Sequence, residues 1–217
     1  MRKGISIFAA MSLFALSGAA TADNLSGINI GAFAVLGESI SLENTRNDEH
    51  PAPGDFETRG VSDSFGSADL KIGYNAVLSN GVFLGAEANY NLIGIDENVD
   101  DRKSVITKFD LSKESSYGLR GKIGVALNDN TAVYGIVGYQ SSKFKIKGQS
   151  VGFGVEDANY HQGFTMGVGL TYAIQNNLLI TAEATQTDYG EETYFGVSNI
   201  ESKETQFGIG LAYRFDI

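Results

Sequence analysis

Apolar and polar residues alternate one by one along most of this chain, in eight separate runs. In Phe207–Ile217, the residues Phe207, Ile209, Leu211, Tyr213, Phe215 and Ile217 oppose Gly208, Gly210, Ala212 and Arg214. In Phe164–Ile174, Phe164, Met166, Val168, Leu170, Tyr172 and Ile174 oppose Thr165, Gly167, Gly169 and Thr171. Ala68–Leu78 sets Leu70, Ile72 and Tyr74 against Asp69, Lys71, Gly73 and Asn75. Val82–Leu92, Tyr117–Leu127, Leu178–Gln186 and Ile28–Leu36 repeat the pattern. Thr131–Ser141 carries a weaker version through Val133, Val137 and Tyr139. Successive strand side chains point to opposite faces, so this alternation predicts strands with one apolar and one polar face.

The connections alternate as well. Ser79-Asn80-Gly81, Asn128-Asp129-Asn130 and Gln175-Asn176-Asn177 read as tight hairpin turns. Between them lie long polar stretches at 37–67, 93–116, 142–163 and 187–206. The expected fold class is therefore all-β: an eight-stranded antiparallel up-and-down transmembrane β-barrel, with short periplasmic turns at one end and long extracellular loops at the other.

A soluble barrel alternates too, but its polar face meets water and is rich in Lys, Glu and Thr. Here the polar face is mainly Gly, Ser, Thr, Asn and Ala, with isolated charges at Asp69, Lys71, Glu87, Arg120, Lys122, Glu183 and Arg214. Small residues with nearly balanced charges suit the narrow lumen of eight strands. Charges there need partners, because desolvating a lone ion costs several kcal/mol. The expectation is an internal ion-pair network, with Glu87 meeting Arg120 and Lys122, and Glu183 meeting Arg214. On the apolar face, Tyr74, Tyr90, Tyr117, Tyr139, Tyr172 and Tyr213 form a candidate aromatic girdle at the lipid–water boundaries.

The first residues change the picture only by adding an address. Arg2 and Lys3 precede an apolar stretch from Ile5 to Leu16, and Ala20-Thr21-Ala22 has the A-x-A cleavage form. Residues 1–22 read as a secretory signal peptide and 23–217 as the barrel domain. The chain has 217 residues, a net charge of -10 and no Cys, which excludes a disulfide framework and thiolate metal sites. The acid excess argues against nucleic acid.

The strand ending Tyr213-Arg214-Phe215, the Thr187-Asp188-Tyr189-Gly190 segment and the Glu183 strand before it resemble the small bacterial outer-membrane β-barrel family. This is the group of opacity-type and OmpX-like proteins, related to the OmpA membrane domain. The resemblance covers nearly all of 23–217. It implies residence in the outer membrane, contact with its lipids and lipopolysaccharide, and delivery by the barrel-assembly machinery. That machinery reads a C-terminal aromatic signal, here Tyr213, Phe215 and Ile217, with Ile217 in place of the usual terminal Phe.

Enzymes on this fold need a His near a Ser or paired carboxylates at the outer rim. Only His50, in the first loop, and His161, near the start of the sixth strand and close to Glu156 and Asp157, are available, and no enzyme activity is expected. No phosphate-cradling loop or metal-spaced His cluster appears, and no cofactor is expected. A structural or surface-interaction role through the loops, with a host-surface or other extracellular ligand, is favoured over a small porin-like channel. The first loop holds Glu38, Glu43, Asp48, Glu49, Asp55, Glu57 and Asp63 against two arginines. The fourth holds Asp188, Glu191, Glu192, Glu201 and Glu204 against Lys203. In the third, Lys143, Lys145 and Lys147 alternate with Phe144 and Ile146, a candidate strand extension that would meet lipopolysaccharide phosphates.

Overall fold

A computed structural model describes residues 24–45, 57–60, 67–92, 95–99, 108–150, 153–175, 177–194 and 198–215. The proposed signal peptide, His50 and Ile217 lie outside these residues. Among the described residues there are ten strands: β1 (Gly27–Thr45), β2 (Glu57–Gly60), β3 (Ser67–Val77), β4 (Val82–Asn91), β5 (Ile95–Val99), β6 (Lys108–Asn128), β7 (Thr131–Ser150), β8 (Phe153–Gln175), β9 (Leu178–Tyr194) and β10 (Ser198–Phe215). All pair antiparallel. Eight form the wall in the order β1-β3-β4-β6-β7-β8-β9-β10, and β10 pairs back onto β1 from Ile28↔Phe215 to Thr45↔Asn199. Closure leaves each of the eight wall strands paired on both sides, as an apolar medium demands.

The turn end is tightly built. Gly81 adopts φ 81°, a left-handed conformation that glycine enters without a steric penalty, and its N–H donates to the Leu78 carbonyl at 2.8 Å. At the β6–β7 turn the Asn130 N–H donates to the side-chain oxygen of Asn128 at 2.9 Å, an Asx turn.

The opposite end departs from the expected long loops. β7 and β8 remain paired as far as Ser150↔Phe153, and β9 and β10 as far as Tyr194↔Ser198. Most of 142–163 and 187–206 is therefore strand. A membrane-crossing strand needs only about 9–11 residues, whereas β7 has 20. Close to half of it stands above the apolar belt. Lys143, Phe144 and Lys145 continue the pleat, with Phe144 inward, so the strand runs on. β3 and β4 stop lower, and β2 and β5 extend the wall above them by pairing with β1 and β6.

Alternation assigns the faces. Ile72, Leu119, Val137, Val168 and Leu211 point outward and are more than half exposed, while Asn29, Asp69, Lys71, Glu87, Thr171 and Glu183 point inward and are buried. Of the register shifts among the described residues, two bear on the lumen, one between Val35 and Gly37 in β1 and one between Lys113 and Ser115 in β6. Each adds one residue and reverses the parity beyond it.

Val168→Arg on the outward face is expected to cost about 2–4 kcal/mol near mid-membrane. Thr171→Ser, which keeps its lumen hydroxyl, should cost well under about 1.5 kcal/mol. Denaturant unfolding in lipid bilayers measures both, and equal tolerance would mean that the faces are reversed.

Candidate functional site: a filled lumen with two ion clusters

The inner cluster gathers Lys71 of β3, Glu87 of β4, Arg120 and Lys122 of β6, and Glu183 of β9. Glu183 is its hub. Lys71 donates to it at 2.5 Å and Lys122 at 3.1 Å, and the Arg120 guanidinium lies 3.7 Å away. Glu87 accepts from Lys122 at 2.6 Å and lies 3.6 Å from Lys71. All five side chains are buried. The Lys71 ammonium also lies 3.5 Å from the centroid of the Phe33 ring, a cation–π contact.

Two expected members stand apart from this cluster. Glu183 is level with Gly208 on β10, six residues from Arg214. Six residues of strand span about 20 Å, so the expected Glu183–Arg214 pair cannot form. Arg214 instead donates to the Ser26 carbonyl at the turn end, at 2.5 Å. Asp69 accepts from the Asn91 amide at 2.7 Å, on the loop side of the cluster. Glu87 and Arg120 are directly opposed in register. Even so, Arg120 reaches past Glu87 to Glu183 and to the Gln140 side-chain oxygen, at 3.0 Å.

An apolar floor lies below the cluster. Leu25, Phe83, Ala132, Tyr134, Ile136, Ala173 and Leu179 form one buried group. Phe83 and Tyr134 stack with ring centroids 5.2 Å apart. The Tyr134 hydroxyl donates to Glu183 at 3.0 Å, which ties the floor to the ion cluster. Its ring occupies the space where a side chain at Gly169 would lie, so Gly169 gives the ring its niche. Strict alternation conceals this floor. Its one signal was apolar residues at polar-face positions near the turns: Phe83, Tyr134, Ile136 and Leu179.

Strict alternation conceals the outer cluster as well. Glu38 and Glu204 were assigned to acidic loops, but both are buried strand residues facing Lys113. Lys113 donates to Glu204 at 2.5 Å and to Glu38 at 3.2 Å. Tyr189 donates to Glu204 at 2.5 Å, and the Gln206 amide also donates to Glu204. The two bulges explain the assembly. Strict alternation would turn Glu38 and Lys113 outward, and the extra residue in each strand turns them in. His161 lies on β8, as expected of a residue near the start of the sixth wall strand, and is 1% exposed, with its ring centroid 5.1 Å from that of Phe144 and 6.3 Å from that of Tyr189.

The barrel exterior at this level is charged: Lys143 and Lys145 meet Glu114, and Lys203 meets Asp188. The outer cluster therefore lies beyond the hydrocarbon region. Burial, and next the Glu204 carboxylate, push Glu38 up to about 8. Burial would also raise Glu204, but Lys113 and the bonds from its neighbours hold it below the usual carboxylate range. Burial opposes the charge on Lys113, and Glu204, Tyr189 and Glu38 outweigh it and raise the ammonium. Burial lowers His161 to about 4.

Gln140 joins the two clusters. Its amide donates to Ser116 at 2.9 Å and approaches the Tyr189 hydroxyl at 3.5 Å, while its oxygen accepts from Arg120. Ser142 and Tyr189 share a further bond of 2.7 Å. Polar contacts thus run without a break from Glu38 to Thr171. Among the described residues, no group of three or more His, Asp or Glu is placed to hold a metal ion.

The six tyrosines fall outward in two bands, each about half exposed. Tyr74, Tyr172 and Tyr213 lie near the turns, with the Tyr213 and Phe215 rings 4.9 Å apart. Tyr90, Tyr117 and Tyr139 lie at the upper edge of the apolar belt, and Tyr90 directly opposes Tyr117.

A closed antiparallel barrel with an apolar exterior, a polar filled lumen and turns shorter than its opposite-end extensions is the architecture of an outer-membrane barrel. The chain belongs to the family described as outer membrane protein beta-barrel domain, which matches residues 6–215. It is 29% identical over 158 residues to a 31 kDa outer-membrane immunogenic protein of Brucella melitensis, a match covering 67% of this chain. The matched stretch spans 65% of that relative, just under two thirds of its length. A major outer membrane protein from Thermus thermophilus superposes with a TM-score of 0.50 at 14% identity, covering 85% of this chain and 99% of that one. Ail, the attachment invasion locus protein of Yersinia pestis, gives a TM-score of 0.44 at 13% identity, covering 87% and 99%. The protein is an outer-membrane barrel, with its turn end periplasmic and its extended end outside the cell.

The outer cluster predicts two opposite pH responses. The folded protein holds the Glu38 proton more tightly than the unfolded chain. That contribution is complete below the ordinary carboxyl value of 4.5 and is lost as pH rises towards about 8. His161 is held neutral, so its contribution is complete above 6.5 and is lost as pH falls towards about 4. Glu38→Gln should flatten the alkaline decline alone and His161→Gln the acid decline alone. Denaturant midpoints across this range test both, and an unchanged alkaline decline in Glu38→Gln would contradict the assignment.

Proposed function

We propose that the protein is a closed-lumen surface barrel that acts through the strands and loops raised above the outer leaflet, by contact with a host-surface or other extracellular ligand. The observation that carries this reading is the filling of the lumen. An apolar floor, the Glu183 cluster and the Lys113 cluster succeed one another, and the members of all three are buried. The ion pairs keep the lumen closed to free diffusion, and the two tyrosine bands hold the barrel at the headgroup levels. Tyr213, Phe215 and Ile217 serve as the insertion signal for the assembly machinery.

The chemistry of the lumen supports contact rather than catalysis. His161 is enclosed beside Phe144 and Tyr189, where a bulky substrate has no approach. Close to half of β7 stands above the membrane, a rigid platform for the loops. The description of the Brucella relative as immunogenic fits a family whose outer parts are displayed.

Two measurements test this reading. In planar bilayers at neutral pH, the refolded protein is expected to give no stable conductance steps. Bacteria displaying it should adhere to epithelial monolayers, and replacing 46–56 with a two-residue turn should abolish adhesion while the heat-dependent gel shift of the folded barrel persists. Stable conductance of the wild type, or undiminished adhesion of the shortened barrel, would overturn it in favour of a small channel.

A further inference from the structure

We propose that Asn24, Leu25 and Ser26 form a strap that crosses the periplasmic mouth of the barrel and seals its lumen, with Leu25 as the cork and Gly27 as the hinge. The three residues precede β1 and lie outside its ladders, which begin at Gly27↔Asn75 and Ile28↔Phe215. Leu25 is nevertheless 0% exposed and belongs to the apolar floor with Phe83, Tyr134 and Leu179.

The hinge is where the chain leaves the wall. Gly27 has φ 137°, which L side chains rarely adopt, and a Cβ there would collide with the Phe215 carbonyl oxygen. Anchors around the rim then hold the strap. The Val77 N–H, at the end of β3, donates to Ser26 Oγ at 3.0 Å, and Arg214 of β10 donates to the Ser26 carbonyl at 2.5 Å. The Asn24 amide donates to Asn130 Oδ1 at 2.7 Å. Asn130 lies in the turn between β6 and β7, and β7 stands four places from β1 in either direction around the eight-strand wall. The strap therefore runs from one side of the mouth to the other.

This arrangement gives Arg214 a task that the ion clusters do not. Its backbone N–H donates to the Asn177 carbonyl at 2.7 Å, and the Asn177 amide donates back to the Arg214 carbonyl at 2.9 Å. Arg214 is thereby fixed to the β8–β9 turn, and its guanidinium holds the strap from there. The anchoring bonds each involve a side chain, so the strap lifts without breaking a ladder bond. In that it differs from the two ion clusters, whose members belong to wall strands. The seal lies at the periplasmic end and is independent of what the loops bind outside.

The protein contains no cysteine, so introduced thiols report on the strap. In the refolded barrel in detergent, Asn24→Cys/Asn130→Cys is expected to be bridged by dibromobimane, which becomes fluorescent on joining two nearby thiols. Ala132→Cys places a thiol in the floor, at a position that is 0% exposed. Its reaction with a small charged methanethiosulfonate should be slow, because access requires local opening. Adding Leu25→Ser or Gly27→Val should speed it by about tenfold or more, since either holds the mouth open. Val168→Ala, on the outer wall, should leave the rate unchanged. The heat-dependent gel shift establishes that each variant is folded. Failure of the 24–130 pair to bridge, an unchanged rate with Leu25→Ser, or equal acceleration by Val168→Ala would overturn the strap.

Discussion

A narrow barrel in a bilayer must neutralise its own interior. The exterior is committed to lipid, so the wall's polar side chains turn inward, where bulk water has little room to screen them. Among the described residues, the buried cations are Lys71, Lys113, Arg120, Lys122 and Arg214, and the buried carboxylates are Glu38, Asp69, Glu87, Glu183 and Glu204. Five meet five. Glu183 carries the heaviest share, since three cations converge on it within 3.7 Å. Such clusters are held by their mutual attraction only while each partner remains in place. The Phe33 ring over Lys71 and the Tyr134 hydroxyl on Glu183 tie the charges to the β1–β10 seam and to the apolar floor.

The strands and their faces were legible because period-two alternation is long and unbroken from Ala68 to Leu78 and from Phe207 to Phe215. The identity of the inner charges was legible for the same reason, since each occupies a polar-face position. Their partners were not. Pairing depends on register and on side-chain reach, and these separate Glu183 from Arg214 by six positions while bringing Arg120 past its direct neighbour Glu87. The outer cluster was hidden by a different cause. One inserted residue at Leu36 and one at Glu114 reverse the pleat, so Glu38 and Lys113 carry the wrong parity for a lumen in any strictly alternating reading. The floor was hidden because Phe83 and Tyr134 are apolar residues at polar positions.

The bulges also join the interior to the surface. The β6 bulge places Lys113 within the lumen and Glu114 against the exterior lysines, so one extra residue shapes both the outer cluster and the exterior ion pairs beside it. Gln140 then links the outer cluster, whose charge state responds to pH, with the ion cluster inside the membrane. A barrel closed in this way has little to offer a solute in transit. What it offers is a stiff, charge-locked stem carrying strands well clear of the outer leaflet.

The dependence on Glu183 is open to direct measurement by urea unfolding in lipid bilayers. Glu183→Gln leaves Lys71, Arg120 and Lys122 facing Glu87 alone and is expected to lower stability by about 3–5 kcal/mol. Asp188→Asn, which breaks an exposed pair with Lys203 on the outer wall, should cost no more than about 1 kcal/mol. Adding Lys122→Gln to Glu183→Gln should restore part of the loss, because the stranded cation is removed with its partner. A Glu183→Gln barrel that unfolds at the wild-type midpoint would contradict the account, since a lumen indifferent to that charge is hydrated rather than closed by ion pairs.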